Sequence, residues 1–236
     1  MKNSLIYLFV IGLIVAATSC QQGGSSNVKM VSEADSVSYA IGTLVGANNK
    51  QQLDNAPGAD EMNLEIMAAA FRSASLGEDS KISEEEANQI VQSWFQKAGE
   101  RENQANLEEG NAFLEENKKR DGVVTTESGL QYEILTEGTG EKPTTEDQVR
   151  VHYHGTLIDG TVFDSSVDSG EPIVFGVTQV IKGWTEALQL MPVGSKWKVF
   201  IPSELAYGAN PRPGGVIEPN MALVFEVELL EIVKGQ

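Results

Sequence analysis

The sequence predicts an α+β protein with two halves: an all-α N-terminal half with a long connecting helix, then a C-terminal half made mainly of strands. Three observations predict it. Between Val37 and Ala98 apolar residues recur at three and four; no proline or glycine pair interrupts the stretch from Ser83 to Lys119; past Val123 the apolar residues alternate singly with polar ones. At 236 residues the chain suits one large domain or two moderate ones, and the change of period favours two.

The chain opens on an export signal. Lys2 precedes an apolar run from Leu5 to Ala17, too short to span a bilayer comfortably. The only cysteine, Cys20, follows Ala17-Thr18-Ser19, which resembles the lipobox of bacterial lipoproteins. Residues 1–19 are therefore expected to be a removable signal peptide, and Cys20 the lipidated mature N-terminus. An ordinary signal peptide with an incidental thiol is the alternative, because Ala17 stands where a lipobox usually has Leu or a similar residue. Either way no second cysteine exists to form a disulfide within the chain, so stability has to come from packing. Residues 20–31 complete this segment, and Gln21 to Asn27 has the polar Gly/Ser composition of a flexible tether.

From Ser32 the helical grammar begins. Val37, Ile41, Leu44 and Val45 mark a first helix, broken by Asn55-Ala56-Pro57-Gly58; Leu64, Met67, Ala68 and Phe71 mark a second, ending near Gly77. Ser83-Glu84-Glu85-Glu86 announces a third, in which the Ser83 hydroxyl caps the first turn and Glu86 can return a bond to the Ser83 amide. Ile90, Val91, Trp94, Phe95 and Ala98 line a single apolar face along its early turns. Its second half carries only scattered Leu107, Phe113 and Leu114 and is expected to be exposed. With no stop before Asp121-Gly122 the helix would run about 35 residues, roughly 50 Å at 1.5 Å per residue, a rod between domains.

Residues 122–236 follow a period of two. Val149, Val151 and Tyr153 alternate with Arg150, His152 and His154; Trp197, Val199 and Ile201 with Lys196 and Lys198; Leu223, Phe225, Val227 and Leu229 with Val224, Glu226, Glu228 and Leu230. Only Thr185 to Leu190 reads as helix among them. His152 and His154 share the face opposite Tyr153, more consistent with a solvent face than with a metal site or a general base.

Composition narrows the function. Seventeen Lys and Arg against 34 Asp and Glu leave a net charge of -17, which repels phosphate backbones, so nucleic acid is not expected as a partner. Motifs for a nucleophile elbow, a zincin helix, a Walker loop, a dinucleotide fold and a Cys/His metal site are all absent. No cofactor or metal is expected. Strand and loop aromatics stand out instead: Tyr153, Phe163, Phe175, Trp184, Trp197, Tyr207 and Phe225. By spacing alone most of them read as core.

A resemblance changes that weighting. Val151 to Leu157 with Asp159 to Ser166, Val180-Ile181-Lys182-Gly183-Trp184, Met191-Pro192-Val193-Gly194, Leu205-Ala206-Tyr207-Gly208 and Leu223 to Val227 resemble, in order, the signature segments of FKBP-type peptidyl-prolyl cis/trans isomerases. The match runs from about Gly122 to Val233, and the helical half resembles the Mip and FkpA branch, in which that half dimerises. The resemblance implies an antiparallel half-barrel sheet wrapped over one short helix, residues 32–121 being the dimerisation domain and 122–236 the isomerase domain. It implies a catalytic pocket of Tyr153, Phe163, Asp164, Trp184, Tyr207 and Phe225, with Phe175, Val180 and Ile181 binding substrate and Val216 and Ile217 on the loop over it.

The chemistry implied is non-covalent. Rotating an X-Pro bond surrenders amide resonance against a barrier of roughly 18–20 kcal/mol, and the twisted amide is less dipolar than the planar one. An apolar pocket therefore favours the transition state. The expected partners are proline-containing unfolded chains, a second copy of this chain, and a membrane reached through a lipid on Cys20; the expected location is the cell envelope, at an outer membrane facing the periplasm. Two rivals are a binding module that holds chains without turnover and a structural envelope lipoprotein. For the helical half the rival is a monomeric three-helix cap burying Trp94 and Phe95. Ile173, standing where many relatives carry an aromatic residue, and the loop Asn210 to Gly215 depart from the family pattern and bear on substrate preference.

Overall fold

The computed structural model describes residues 28–54 and 56–233; the signal segment and Cys20 lie outside the described residues. The described residues divide into two compact units, 28–54 and 56–233.

In the first unit, α1 spans Glu33–Leu53. Its start is fixed by a reciprocal capping box: Ser32 Oγ accepts from the Asp35 amide at 3.1 Å while Asp35 Oδ2 accepts from the Ser32 amide at 2.9 Å. Hydrogen bonding to the Asp35 carboxyl, from the Ser32 side chain first and then the Val31 and Ser32 amides, holds it below the usual carboxylate range. No residue of α1 is buried, and Val37, Ile41 and Leu44 are more than half exposed.

The second unit opens with a 3₁₀ turn over Ala59–Glu61, then α2 (Leu64–Ser75), capped by Asn63, and α3 (Glu84–Asn117), 34 residues long as its uninterrupted sequence predicts. At the start of α3 the Ser83 hydroxyl accepts from the Glu86 amide at 3.1 Å. Gly58 sits against α3 with φ +67°, its amide bonded to Glu102 Oε1 at 3.0 Å.

Seven strands follow: β1 (Val123–Thr125), β2 (Gln131–Thr136), β3 (Gln148–Leu157), β4 (Val162–Ser165), β5 (Ile173–Gly176), β6 (Lys196–Ile201) and β7 (Leu223–Val233). Two short helices interrupt them, α4 (Ser166–Ser169) and α5 (Lys182–Leu190). Every pairing is antiparallel, in the order β1-β2-β6-β7-β3-β4, with β5 also on β3. β3 and β7 pair along their whole length from Gln148↔Val233 to Leu157↔Leu223, with a bulge at Arg150/Val151.

The predicted alternation is the one the sheet uses. Val149, Val151, Trp197, Val199, Ile201, Leu223, Val227 and Leu229 point inward and are buried with Leu188 and Met191 of the α5 segment. At about 25 cal/mol per Å² of apolar surface removed from water, burial of this cluster stabilises the unit.

The expectation that the second half of α3 is exposed fails on one face, where Gly110, Leu114 and Asn117 are buried. Leu114 is buried with Phe200, Ala222 and Val224 on the outer face of the sheet, and Phe113 packs beside them. Asn117 Nδ2 donates to Gln131 Oε1 at 2.8 Å, and Gln131 Nε2 donates to the Leu114 carbonyl at 2.9 Å, so the buried Gln131 amide is satisfied on both sides. The last turns of α3, from Gly110 to Asn117, are thus seated on β2, β6 and the start of β7.

Candidate active site

Trp184 is the floor of the site. Gly183, Trp184, Ala187 and Leu188 are the buried face of α5, and Trp184 falls in its first turn with its ring turned toward the sheet and only 5% exposed. Three aromatic rings stand around it edge-on: Tyr153 of β3 at 5.4 Å and 87°, Phe225 of β7 at 5.2 Å and 89°, and Phe175 of β5 at 5.4 Å and 64°. Phe163 of β4 meets Phe225 at 5.4 Å and 83°, extending the wall. Edge-to-face packing suits the ring quadrupoles, so the rings brace one another around the floor.

Register explains why these side chains converge. Gly155 lies opposite both Asp164 on β4 and Phe225 on β7. A Cβ on Gly155 would lie 2.8 Å from the Phe163 and Phe225 rings, so glycine gives both aromatics the space over β3. Tyr153, two residues earlier, faces the same side and is the diagonal neighbour of Asp164. Its hydroxyl donates to Asp164 Oδ2 at 2.6 Å. Burial first, then the hydrogen bond and the negative charge of Asp164, push the Tyr153 phenol far above its ordinary value.

The cavity so formed is about 430 Å³, lined by Tyr153, Phe163, Asp164, Phe175, Val180, Ile181, Trp184, Tyr207 and Phe225 together with Ile173 and Gln179. All nine residues that the resemblance puts in the pocket come together. Val216 and Ile217 do not line it: Val216 is exposed, and Ile217 is half-buried against the inner core. Gln179 is an addition that sequence reasoning does not supply. Its Oε1 accepts from the Gly176 amide at 3.1 Å and closes the turn after β5, and a polar residue in a turn carries no periodic signal.

Polar groups are confined to the rim. The Tyr207 hydroxyl, on a residue 45% exposed, has no hydrogen-bond partner among the described residues. The Ile181 N–H, at the N-cap of α5, donates to no backbone or side-chain acceptor there either. On the opposite face of β3, His152 Nδ1 meets Ser166 Oγ and His154 Nδ1 meets Ser165 Oγ, each at 3.1 Å. Among the described residues no group of three or more His, Cys, Asp or Glu side chains is placed to hold a metal ion.

An antiparallel sheet closed over one short helix, with an aromatic-lined cavity between them, defines a pocket suited to a small apolar group. Residues 139–230 match the family FKBP-type peptidyl-prolyl cis-trans isomerase, and residues 34–134 match the domain amino terminal to FKBP-type peptidyl-prolyl isomerase. The chain belongs to the FKBP-type peptidyl-prolyl cis-trans isomerases and is an enzyme of that class. It is 41% identical to the "Outer membrane protein MIP" of Legionella longbeachae over 100% of both chains. It is 47% identical to the FKBP-type 22 kDa peptidyl-prolyl cis-trans isomerase of Escherichia coli strain K12, over 83% of this chain and 94% of that one. The crystal structure of FkpA from Escherichia coli superposes with a TM-score of 0.71 at 35% identity, covering 86% of this chain and 98% of the other.

Proposed function

We propose that this isomerase acts on proline-containing unfolded chains in the cell envelope, as a homodimer joined through residues 32–121 and anchored by a lipid on Cys20, with residues 122–236 as the isomerase domain. The observation that carries the catalytic reading is the cup itself: a tryptophan floor, edge-on aromatic walls, and hydrogen-bonding groups only at the rim.

In this reading the proline ring lies on Trp184 between Tyr153, Phe163 and Phe225, with Phe175 and Val180 closing the sides. The unpartnered Ile181 N–H takes one substrate carbonyl and the Tyr207 hydroxyl another, so the peptide is held part-twisted. Asp164 orients the Tyr153 hydroxyl, and its charge faces the twisting amide. Val216 and Ile217 meet the chain outside the cup. Rotation breaks no covalent bond, so these steps call for no nucleophile and no proton transfer.

Exposed apolar side chains on the helices support the dimer: Val37, Ile41 and Leu44 of α1, and Leu64, Ile66 and Phe71 of α2, are each at least 49% exposed. Two pockets on one dimer would raise the effective concentration of catalyst on a captured client, which favours a chaperone activity beside the isomerase. The signal-like N-terminus, Gln21 after Cys20, and a relative named for the outer membrane support an outer-membrane lipoprotein facing the periplasm. Among the described residues no helix is long and apolar enough to cross a membrane.

The test is cis-to-trans conversion of a short X-Pro peptide by residues 28–236, beside Trp184→Ala and Tyr207→Phe variants. Acceleration lost in both variants with folded spectra supports the site; a wild-type chain that binds the peptide without accelerating conversion makes it a holding module. Sedimentation of the same protein reads the dimer, and mass spectrometry of the mature N-terminus reads the lipid.

A further inference from the structure

The segment between the 3₁₀ turn at Ser203–Leu205 and β7 carries Tyr207 at one end and Ile217 near the other. Its base is cross-linked by the Asn220 N–H, which donates to the Gly208 carbonyl at 2.8 Å. Asn220 is the only non-glycine residue with positive φ among the described residues, at 63°. Asparagine is among the few side chains that tolerate this conformation, and here it leaves the amide side chain directed at α3. Asn220 Nδ2 donates to the Asn103 carbonyl at 3.1 Å.

A second tie lies one turn along the helix. Asn106 Nδ2 donates to the Pro219 carbonyl at 3.1 Å and lies 3.3 Å from Glu218 Oε2. Next, Gly110 approaches Ala222 so closely that a Cβ on it would sit 3.1 Å from the Ala222 methyl. Asn103, Asn106, Gly110, Leu114 and Asn117 thus form one face of α3, spaced three and four apart, whose first half holds the loop and whose second half holds the sheet. Between Gly208 and Glu218 the loop has few internal bonds, so its position is set at its two ends, where the Gly208 N–H donates to the Ser203 carbonyl at 2.9 Å and where residues 218–222 meet α3.

We propose that Asn106 and Asn220 are positioning residues for the isomerase reaction: through them α3 holds the loop from Gly208 to Met221, and with it Tyr207 and Ile217, in place beside the pocket. Neither side chain lines the cavity, so neither touches the proline ring. The clamp acts on the loop and through it on the rim. The catalytic consequence rests on the pocket reading above; the mechanical one does not.

The experiment uses the full mature chain with Asn106→Ala, Asn220→Ala and Asn220→Gly. The glycine variant keeps the positive φ and loses only the tie to α3, so it separates the clamp from backbone strain. Amide hydrogen exchange is followed at residues 208–221 and at the β3–β7 core, with KM and kcat for an X-Pro peptide and the urea midpoint measured in parallel. The clamp predicts that Asn106→Ala and Asn220→Gly both speed loop exchange at least about tenfold, leave core exchange and the urea midpoint near wild type, and raise KM severalfold with a smaller change in kcat. Unchanged loop exchange in both variants overturns the clamp. Faster loop exchange with unchanged KM and kcat overturns the catalytic role, and faster exchange everywhere shows a merely structural contact and overturns the proposal. If the wild-type chain itself does not accelerate conversion, the pocket reading fails while the exchange data still decide the clamp.

Discussion

The Tyr153 hydroxyl and the Asp164 carboxylate meet at 2.6 Å across the β3–β4 pair, the phenol half-buried and the acid at the open rim. One strand pairing thus fixes both the aromatic wall and the charged group beside it, and a slip of one residue would turn Tyr153 to the opposite face of the sheet.

Because its phenol is pushed up, Tyr153 stays protonated in the folded protein beyond the pH at which an exposed tyrosine ionises. A folded value above the unfolded one contributes stability that is complete below the unfolded value, near 10, and is lost as pH rises through the folded value. Ultraviolet difference titration of wild type against Tyr153→Phe should therefore show no Tyr153 phenolate near pH 10. A phenolate signal there would mean that the phenol is not held, buried first of all and bonded to Asp164, as the structure has it.

Trp184→Ala should fail in two ways, losing both the floor of the pocket and a core side chain. Removing a buried tryptophan costs about 3–5 kcal/mol of stability, read as a lower urea midpoint. Trp184→Phe retains an aromatic floor and should fold well, yet lose roughly tenfold in kcat/KM, about 1.4 kcal/mol of transition-state stabilisation. Wild-type kcat/KM in Trp184→Phe would remove Trp184 from the catalytic set.

Gly155→Ala tests the convergence of the walls. The new methyl would displace the Phe163 and Phe225 rings, which lie 2.8 Å from its position, and overpacking of this kind costs about 1–3 kcal/mol. Isomerase activity should fall together with the near-ultraviolet signal of the aromatic cluster, while far-ultraviolet spectra stay those of the wild type.

Leu114→Ala tests the docking of α3 on the sheet. Leu114 is 8% exposed, and truncation should lower stability by about 2–3 kcal/mol, with the loss read from denaturation of the β-sheet rather than of the helix alone. A variant as stable as wild type would show that α3 lies loosely on the sheet in solution.

Much of this is legible in the residues. The strands follow the alternation of Val149 to Tyr153, Trp197 to Ile201 and Leu223 to Leu229, and α3 ends within a few residues of where its stop signals lie. The cup is legible only through the order of its segments, because period alone cannot separate a core aromatic from a pocket one. The seat of α3 escapes sequence reading for a physical reason. Its docking face is Asn103, Asn106, Gly110, Leu114 and Asn117, where close approach and amide hydrogen bonds replace an apolar stripe, so a hydrophobic period finds nothing. Phe113 and Leu114 are the sequence's own hint, too sparse to mark a buried face without the partners that Gln131 and Asn220 supply.

The seat of α3 also sets an order of events. Its partners Ala222 and Val224 belong to the last strand of the chain and the residue leading into it, more than a hundred residues downstream of Gly110. A polypeptide emerging N-terminus first makes this helix early, but the surface that receives it is complete only once residues 222–224 have joined Phe200 and Gln131 in the sheet. The helix is the early element and the latch is the late one, so a chain cut short before β7 leaves α3 with half its seat and the aromatic cup without Phe225.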